Sequence, residues 1–250
     1  MKDEELLRYS RHILLPGLDV DGQERLLAAS VLIVGLGGLG SPVALYLAAS
    51  GVGRLVLADD DLVELSNLQR QIAHGSGDIG RAKVASARDA CLALNPVLDI
   101  SLIDRRLERD SLLQAVADVD LVVDCSDNFT TRFALNEACV EAAVPLVSGA
   151  AIRSEGQLSV FDSRRSDSPC YRCLYSPDAG EEQLNCSEAG VLAPIVGVIG
   201  SLQAVETVKL LSGFGEPLTG RLLLFDGATM DIRTLKLAKD PACPVCAAKT

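Results

Sequence analysis

The sequence contains no tryptophan, and aromatic residues make up only 4% of its 250 positions. Alanine, valine and leucine are plentiful instead. This balance suits a buried parallel sheet covered by helices better than a β-sandwich or a barrel. The composition therefore predicts an α/β fold.

Basic runs are also missing, and the formal net charge is −11. Proteins that bind nucleic acid neutralise phosphates with clustered Lys and Arg, and an acidic surface repels the same groups. We therefore expect no nucleic-acid partner and no binding to acidic membrane surfaces.

No secretory signal is recognisable in the first residues, which are mostly charged. Residues 26–53 carry no charge, but their glycines and Pro42 favour a strand, a tight turn and a helix over a membrane span. Eight cysteines without an export signal indicate a reducing compartment, where thiols bind metals or do chemistry. We expect a cytoplasmic protein without a membrane partner.

Strand and helix patterns alternate through the first 150 residues. Strands are predicted over 31–34, 55–58, 99–103, 120–124 and 145–148, with helices over 4–29 (broken at Pro16-Gly17), 83–94 and 131–143. Alternation with short links predicts a Rossmann-like, doubly wound, mostly parallel sheet with right-handed connections.

The pattern changes after residue 150. Strands are predicted over 157–161, 221–225 and 232–237, with an apolar helix over 190–211 that breaks near Pro194. Consecutive strands suit an antiparallel C-terminal extension of a sheet. We therefore expect both halves of the chain, 1–150 and 151–250, to share one sheet in a single domain.

A glycine-rich motif, Gly-Leu-Gly-Gly-Leu-Gly, runs from Gly35 to Gly40, after a predicted strand and before a predicted helix. Glycines let the backbone approach a phosphate, and a helix N-terminus adds free N–H groups and partial positive charge. Asp59 ends the next strand, where an acid typically binds ribose hydroxyls. The motif predicts a nucleotide site. Its alternative is a glycine turn that only packs helix on strand.

Two cations and three amides follow the acid: Asn67, Gln69, Arg70, Gln71 and Lys83. A site for the β- and γ-phosphates of ATP needs positive charge, because the negative charge of the leaving pyrophosphate must be neutralised. A site for NAD has no such requirement. The alternative is a solvated helix face.

Acidic residues cluster at the end of the fourth predicted strand, in Asp124-Cys125-Ser126-Asp127-Asn128. Ligands of open α/β sheets bind at this edge, and Mg²⁺ prefers one or two carboxylates with phosphate and water. We assign Asp127 to Mg²⁺ and expect Asp124 to be structural. The alternative is that these residues cap the following helix.

Four of the eight cysteines form two Cys-x-x-Cys pairs, Cys170 with Cys173 and Cys243 with Cys246. Four thiolates suffice for a closed tetrahedral zinc site, which predicts that the fold brings the pairs together. The alternatives are two unrelated pairs or a redox dithiol. Cys91, Cys125 and Cys139 lie in core-like patterns and are predicted to be buried.

Cys186 lies in a polar loop, where its thiol is either a nucleophile for an activated carboxyl or a non-essential exposed group. His12 and His74 have no recognisable catalytic or metal-binding partner, so neither is predicted to be a catalyst. Arg8 and Arg11 precede the first strand and, on their own, indicate a solvated helix face.

In combination these motifs resemble the MoeB/ThiF (HesA/MoeB/ThiF) family of bacterial E1-like activating enzymes. The resemblance runs from Arg8-Tyr9-Ser10-Arg11 to Cys246, through residues 35–40, 66–71, 124–128 and 186–190 and both cysteine pairs. Residues 145–153 and 155–157 look more like the MoeB branch, which serves molybdopterin synthesis. Residues 57–61 and 185–186 are closer to the ThiF branch, which serves thiamine thiazole synthesis.

The resemblance implies ATP-dependent adenylation of a ubiquitin-like sulfur carrier that ends in Gly-Gly. Its C-terminal carboxylate would attack the α-phosphate, giving an acyl-adenylate and pyrophosphate ahead of thiocarboxylate formation. A separate donor, a cysteine desulfurase or a sulfurtransferase, would supply sulfur. Residues 1–150 would form the nucleotide-binding half, and residues 151–250 the carrier-binding half with the zinc site.

The resemblance also implies roles for single residues. Arg11 would reach the phosphates in the neighbouring subunit of a homodimer, and Cys186 could link covalently to the carrier. The remaining nucleotide, phosphate and Mg²⁺ contacts would come from Gly37, Gly38, Gly40, Asp59, Asn67, Arg70, Gln71, Lys83, Asp127 and Asn128. Two other functions compete: an NAD-dependent oxidoreductase, and an inactive partner that binds a ubiquitin-like protein.

Overall fold

The architecture was obtained from a computed structural model that describes residues 1–176 and 189–247. The helices are α1 (Asp3–Arg8), α2 (Ser10–Ile13), α3 (Asp19–Ala28), α4 (Gly40–Ser50), α5 (Lys83–Leu94), α6 (Arg109–Ala117), α7 (Phe129–Ala142), α8 (Tyr171–Leu174) and α9 (Ala193–Ser212). The strands are β1 (Ser30–Val34), β2 (Arg54–Ala58), β3 (Asp99–Ile103), β4 (Leu121–Asp124), β5 (Leu146–Ile152), β6 (Glu155–Phe161), β7 (Arg221–Asp226) and β8 (Asp231–Lys236).

All eight strands belong to one sheet, in the order β3-β2-β1-β4-β5-β6-β7-β8. Strands β1 to β5 pair in parallel, and β5 to β8 pair antiparallel. The predicted Rossmann-like sheet with an antiparallel C-terminal extension is therefore confirmed, and both halves of the chain contribute strands to it.

Hydrophobic residues fill both faces of the parallel part, because successive side chains of a strand point to opposite sides. Val31 and Ile33 of β1 pack in one cluster with residues of α4, α5 and α9. Leu32 and Val34 pack in the second cluster with residues of α6 and α7. Near-continuous apolar strands are typical of sheets covered on both faces.

The register aligns three strand ends at one edge. Val34, the last residue of β1, pairs with Ala58 of β2 and with Asp124 of β4. The residues that follow these strands, from Gly35, Asp59 and Cys125 onward, are therefore neighbours. Three motifs that are far apart in sequence meet there.

The structure corrects several predicted boundaries. The bounds of helix α6, in the gap between β3 and β4, were not predicted. Strand β5 continues to Ile152, because it pairs with β6 along its whole length. Helix α9 begins at Ala193 with Pro194 in its first turn, where proline is tolerated, so Pro194 starts the helix and does not break it.

The uncharged stretch over residues 26–53 is divided among the end of α3, β1, the glycine loop and α4. One helix in the described ranges, α9, is long and apolar enough to cross a membrane, and half of its apolar window is buried inside the molecule. It packs against α4, β5 and β6, as a core helix does.

Candidate active site

A cavity of about 520 Å³ opens at the aligned ends of β1, β2 and β4. Open α/β sheets bind ligands at this edge, and the volume lies in the range of small-molecule sites. Of the predicted site residues, those that line the cavity are Gly37, Gly38, Asp59, Arg70, Gln71, Lys83, Asp127 and Asn128. Arg11, Gly40 and Asn67 are not among the lining residues.

The glycines of the loop between β1 and α4 serve two different needs. A Cβ on Gly37 would meet only the Gln71 side chain, at 3.4 Å, so the loop leaves room for a ligand at Gly37. A Cβ on Gly40 would lie 1.9 Å from the carbonyl oxygen of Gly35, so this position needs glycine to close the turn. Gly40 therefore serves the packing of the turn, and the room at Gly37 fits the interpretation of the motif as a nucleotide site.

Asp59 is bound to the glycine loop. Its Oδ2 accepts a hydrogen bond of 2.6 Å from the Leu36 N–H, and its Oδ1 accepts one of 2.9 Å from the Asp61 N–H. Burial raises the pKa of the Asp59 carboxyl, although Lys83 and the two N–H donors oppose the shift. Each oxygen keeps a second lone pair, which a ribose hydroxyl can use.

Lys83 is the first residue of α5 and is buried. Its Nζ lies 2.7 Å from Asp61 Oδ2 and 4.0 Å from Asp59 Oδ1. Asp61 is exposed, so a stronger anion that enters the cavity can compete with it for the ammonium group. The sequence prediction identified Lys83 but not its partner Asp61.

Residues 65–71 form a short 3-10 turn and a loop after β2. Asn67 Oδ1 accepts a hydrogen bond of 3.0 Å from the Glu64 N–H, so Asn67 stabilises the turn. Arg70 is half-buried and donates to the Ser66 carbonyl oxygen at 3.1 Å, and no described carboxylate pairs with it. The buried Oε1 of Gln71 has no hydrogen-bond partner among the described groups.

The end of β4 carries two acids with different environments. Asp124 is fully buried and accepts hydrogen bonds from Ser126 and Ser148, so it is structural. Asp127 is exposed and forms no hydrogen bond or ion pair with the residues that the structure describes. Asn128 caps α7, because its Oδ1 accepts from the Thr131 N–H at 2.9 Å. The capping alternative therefore applies to Asn128 and leaves Asp127 available.

Sequence reasoning missed the other cations of the cavity. Arg132 is buried and donates a hydrogen bond of 2.8 Å to the Ser126 carbonyl oxygen. Burial disfavours the charged guanidinium, but the carboxylate of Asp124 and other neighbours outweigh burial and raise the pKa of Arg132. Arg132 lies one helical turn after Asn128, a spacing that could have revealed it. Arg105 and Arg106 are exposed at the rim, in the irregular link after β3, where no sequence pattern placed them.

Arg11 is not among the residues that line the cavity. Arg11 is exposed on α2 and has no acidic partner in the described structure. Cys186 lies outside the described residues. Both histidines have partners that the sequence did not reveal: His12 contacts Gln23, and His74 contacts Ser86 and Leu36.

The four predicted cysteines form one cluster. Sulfur atoms are 3.9 Å apart for Cys170 and Cys173, 3.7 Å for Cys170 and Cys243, and 3.5 Å for Cys173 and Cys246. A tetrahedron with Zn–S bonds of about 2.3 Å has edges of about 3.8 Å. The donor set therefore has the size and chemistry of a structural zinc site, and the two pairs are not unrelated.

Helix α7 supports this cluster. Asn136 is buried, donates to Cys170 Sγ at 3.7 Å and accepts from the Tyr171 N–H at 2.8 Å. A donor to a ligating sulfur is a common outer-shell contact in metal sites. Cys91, Cys125 and Cys139 are buried, as predicted.

Comparisons with known proteins identify relatives over the whole architecture. Residues 9–245 match the profile of the ThiF family. The chain is 51% identical to a molybdopterin-synthase adenylyltransferase of Escherichia coli, over 98% of both chains. It is 49% identical to an Escherichia coli sulfur carrier protein ThiS adenylyltransferase, over 98% of this chain and 97% of the relative.

A solved structure shows the same fold. The crystal structure of E. coli MccB with ATP superposes with a TM-score of 0.84 at 25% identity, covering 96% of this chain and 73% of that chain. The family profile spans nearly the whole chain, and two relatives are about half identical to it. The chain belongs to the ThiF family.

Proposed function

We propose that the protein transfers AMP from ATP to the C-terminal carboxylate of a ubiquitin-like sulfur carrier that ends in Gly-Gly. One observation carries the proposal: Arg70, Lys83 and Asp127, an acid without a partner in the described ranges, line a single cavity beside the glycine loop. The two Escherichia coli relatives, named as adenylyltransferases of molybdopterin synthase and of a sulfur carrier, support the same reaction.

The side of the glycine loop that faces the cavity suits the nucleotide. Gly37 leaves space for the phosphates, Gly38 also lines the cavity, and the free lone pairs of Asp59 suit the ribose hydroxyls. The buried, unpartnered Oε1 of Gln71 is a group that a ligand donor would satisfy. Arg70 has no acidic partner among the described residues, so its charge is available to a phosphate.

Asp127 is the residue that we assign to Mg²⁺. Its carboxylate is exposed to the cavity and free of protein partners in the described part of the chain. Bound Mg²⁺ would neutralise phosphate charge, and it prefers one or two carboxylates together with phosphate oxygens and water. Asn128 faces the same cavity, but its Oδ1 already caps α7.

The chemistry needs no covalent enzyme intermediate. A carrier carboxylate oxygen forms a bond to the α-phosphorus as the bond to the bridging oxygen of pyrophosphate breaks, which gives an acyl-adenylate and pyrophosphate. The obstacle is the approach of two anions. Lys83 and Arg70 offset that repulsion, and positioning of the reactants contributes about 7–11 kcal/mol.

The four cysteines would hold one structural Zn²⁺. The sulfur spacing supports this assignment, and four thiolates leave no open position for catalysis. The metal would tie the C-terminal segment to α8, in the half of the chain that we assign to carrier binding, residues 151–250. Residues 1–150 would bind the nucleotide.

We further infer a cytoplasmic homodimer in which Arg11 reaches the phosphates of the neighbouring subunit. The loop that carries Arg70 exposes Leu62, Leu65 and Ile72, which a second subunit would cover. A separate cysteine desulfurase or sulfurtransferase would supply sulfur after adenylation. Cys186 as a carrier attachment point stays a prediction.

The competing functions are weaker. An NAD-dependent oxidoreductase leaves Arg70, Lys83 and the cysteine cluster without a purpose, and the two relatives are named as adenylyltransferases. An inactive partner has no need of an exposed Asp127 beside two cations in one cavity.

The test is exchange of labelled pyrophosphate into ATP in the presence of a carrier that ends in Gly-Gly. We expect carrier-dependent exchange, reduced at least about 100-fold by Arg70→Ala or Asp127→Ala. A carrier without its last glycine is the matched control and should support none. Full exchange in both variants would show that the site is wrong.

A further inference from the structure

Leu36, in the middle of the glycine loop, is held through both polar atoms of its backbone. Its N–H donates to Asp59 Oδ2 at 2.6 Å. Its carbonyl oxygen lies 3.0 Å from Nε2 of the buried His74, whose Nδ1 lies 2.8 Å from Ser86 Oγ. The loop is thus fixed from one side by Asp59 and from the other by His74.

The partners define the tautomer of His74. A carbonyl oxygen can only accept, so Nε2 must carry the proton. In the neutral ring Nδ1 then accepts from the Ser86 hydroxyl. Burial lowers the pKa of His74, which favours this neutral form. The His74 ring therefore donates a hydrogen bond from Nε2 to the glycine loop and accepts none from it.

The position of His74 links three segments that surround the cavity. Its backbone N–H donates to the Gln71 carbonyl oxygen at 3.1 Å, next to Arg70. Ser86 lies on α5 one turn after Lys83. The third segment is the glycine loop itself. Each of these segments contributes at least one residue to the lining of the cavity.

We propose that His74 is a positioning residue that sets the distance between the glycine loop and the cations of the ATP site, by donating from Nε2 to the Leu36 carbonyl oxygen. The inference rests on the proposed function. His74 does not line the cavity, so it acts through Leu36, Arg70 and Lys83 and not on the substrate. A shift of the loop relative to the cations would misplace the α-phosphate, and catalysis is sensitive to such small displacements.

Two substitutions separate the two ring nitrogens. His74→Gln places an amide N–H near the position of Nε2 and can still donate to Leu36. His74→Asn places its amide near the position of Nδ1, which preserves the Ser86 contact and removes the donor to Leu36. Asn95→Ala is a control for loss of a buried polar group, because Asn95 contacts Tyr9 and Ala48 away from the cavity.

The experiment measures kcat and KM for MgATP in carrier-dependent pyrophosphate exchange, MgATP affinity by calorimetry, and Tm, on the full-length chain. We expect His74→Asn to lower kcat/KM for MgATP at least about tenfold, as loss of a buried hydrogen bond implies, and His74→Gln to stay within about threefold of the unsubstituted protein. Asn95→Ala should lower Tm and leave kcat/KM unchanged.

Equal kcat/KM values for the Gln and Asn variants, or losses that only follow Tm, would overturn the inference. If the unsubstituted protein showed no exchange, the proposed function would fail, and the calorimetric comparison would still decide the role of His74. Weaker MgATP binding in His74→Asn than in His74→Gln would support it, and identical binding would refute it.

Discussion

Lys83 Nζ and Asp61 Oδ2 lie 2.7 Å apart, so the most buried cation of the cavity is paired with an exposed carboxylate. Asp61 is 68% exposed at its side chain, whereas Lys83 is 7% exposed. Solvent weakens such a pair, which is therefore easily exchanged for a triphosphate. Asp61 therefore satisfies the Lys83 ammonium group without holding it tightly.

This pairing predicts opposite effects for its two members. Asp61→Asn should lower KM for ATP by up to about fivefold, because the phosphates no longer compete with a carboxylate whose interaction is worth about 0.2–1 kcal/mol. Lys83→Met should reduce kcat/KM at least about 100-fold. Steady-state pyrophosphate exchange at varied ATP measures both.

Asp60→Asn is the matched control, because Asp60 also lines the cavity but has no ion pair within the described ranges. It should leave KM nearly unchanged. A rise in KM for Asp61→Asn would mean that Asp61 orients Lys83 and does not compete with ATP.

The burial of Asp59 predicts a pH dependence of ATP binding. Its pKa is raised by burial, against the opposing effect of Lys83. The ionised form, which accepts through both oxygens, exists above the raised pKa and is lost as the pH falls through it. ATP affinity should therefore decline on acidification at a higher pH than an ordinary aspartate would cause.

Calorimetric titration of ATP across this pH range measures the effect. Asp59→Asn should bind ATP more weakly and should lack the decline in ATP affinity that protonation of Asp59 causes. Any decline caused by protonation of ATP itself should be the same in both proteins. Identical pH profiles for the two proteins would contradict the assignment of Asp59 to the nucleotide.

The cysteine cluster predicts about one zinc per chain in protein purified without chelator. Cys246→Ser should lose the metal and lower Tm by at least about 5 °C, because metal binding contributes to folding. Elemental analysis and thermal unfolding are the measurements.

Cys91→Ala serves as the comparison. Burial raises the pKa of the Cys91 thiol to about 12, so this residue stays a neutral core group away from the cluster. The Cys91→Ala variant should retain its full zinc content. If the unsubstituted protein contained no zinc, the assignment of all four cysteines as ligands would be wrong.

Arg11 offers a test of the homodimer. If Arg11 serves the site of the neighbouring subunit, Arg11→Ala and Arg70→Ala are each inactive alone, but a mixed dimer has one complete site. Random pairing of equal amounts makes half of the dimers mixed, so the unfractionated mixture should recover about one quarter of the unsubstituted activity and the purified mixed dimer about one half. Co-expression with two affinity tags yields the mixed dimer, and no recovery would place Arg11 in its own subunit or outside the site.

Much of the fold could be predicted from local patterns. The predicted range of β3 and that of α5 match the structure, because a strand of five residues and a helix of twelve are each bounded by clear breaks. The bounds of helix α6 were not predicted, and the length of β5 was underestimated, since its last residues are held by pairing with β6.

The candidate site was predicted less evenly. Arg70, Lys83 and Asp127 stood out because charged residues follow apolar strands at the edge where ligands bind. Gly40 closes the turn of the glycine loop, and Asn67 stabilises a separate turn at residues 65–67; both roles depend on atomic contacts that residue spacing does not show. Arg132 was missed although it lies one helical turn after Asn128, and the contact of His74 with Leu36 joins segments that are distant in the chain.

The sequence by itself determined the order of strands and helices, the glycine-rich motif and the two cysteine pairs, because periodicity, glycine spacing and paired cysteines are local signals. Only the tertiary structure decided which of these residues share a cavity and which support it. The strand register aligned Gly35, Asp59 and Cys125, and burial then separated the structural Asp124 from the available Asp127. Contacts between distant segments, such as that of His74 with Leu36, follow from packing and leave no periodic trace in the chain.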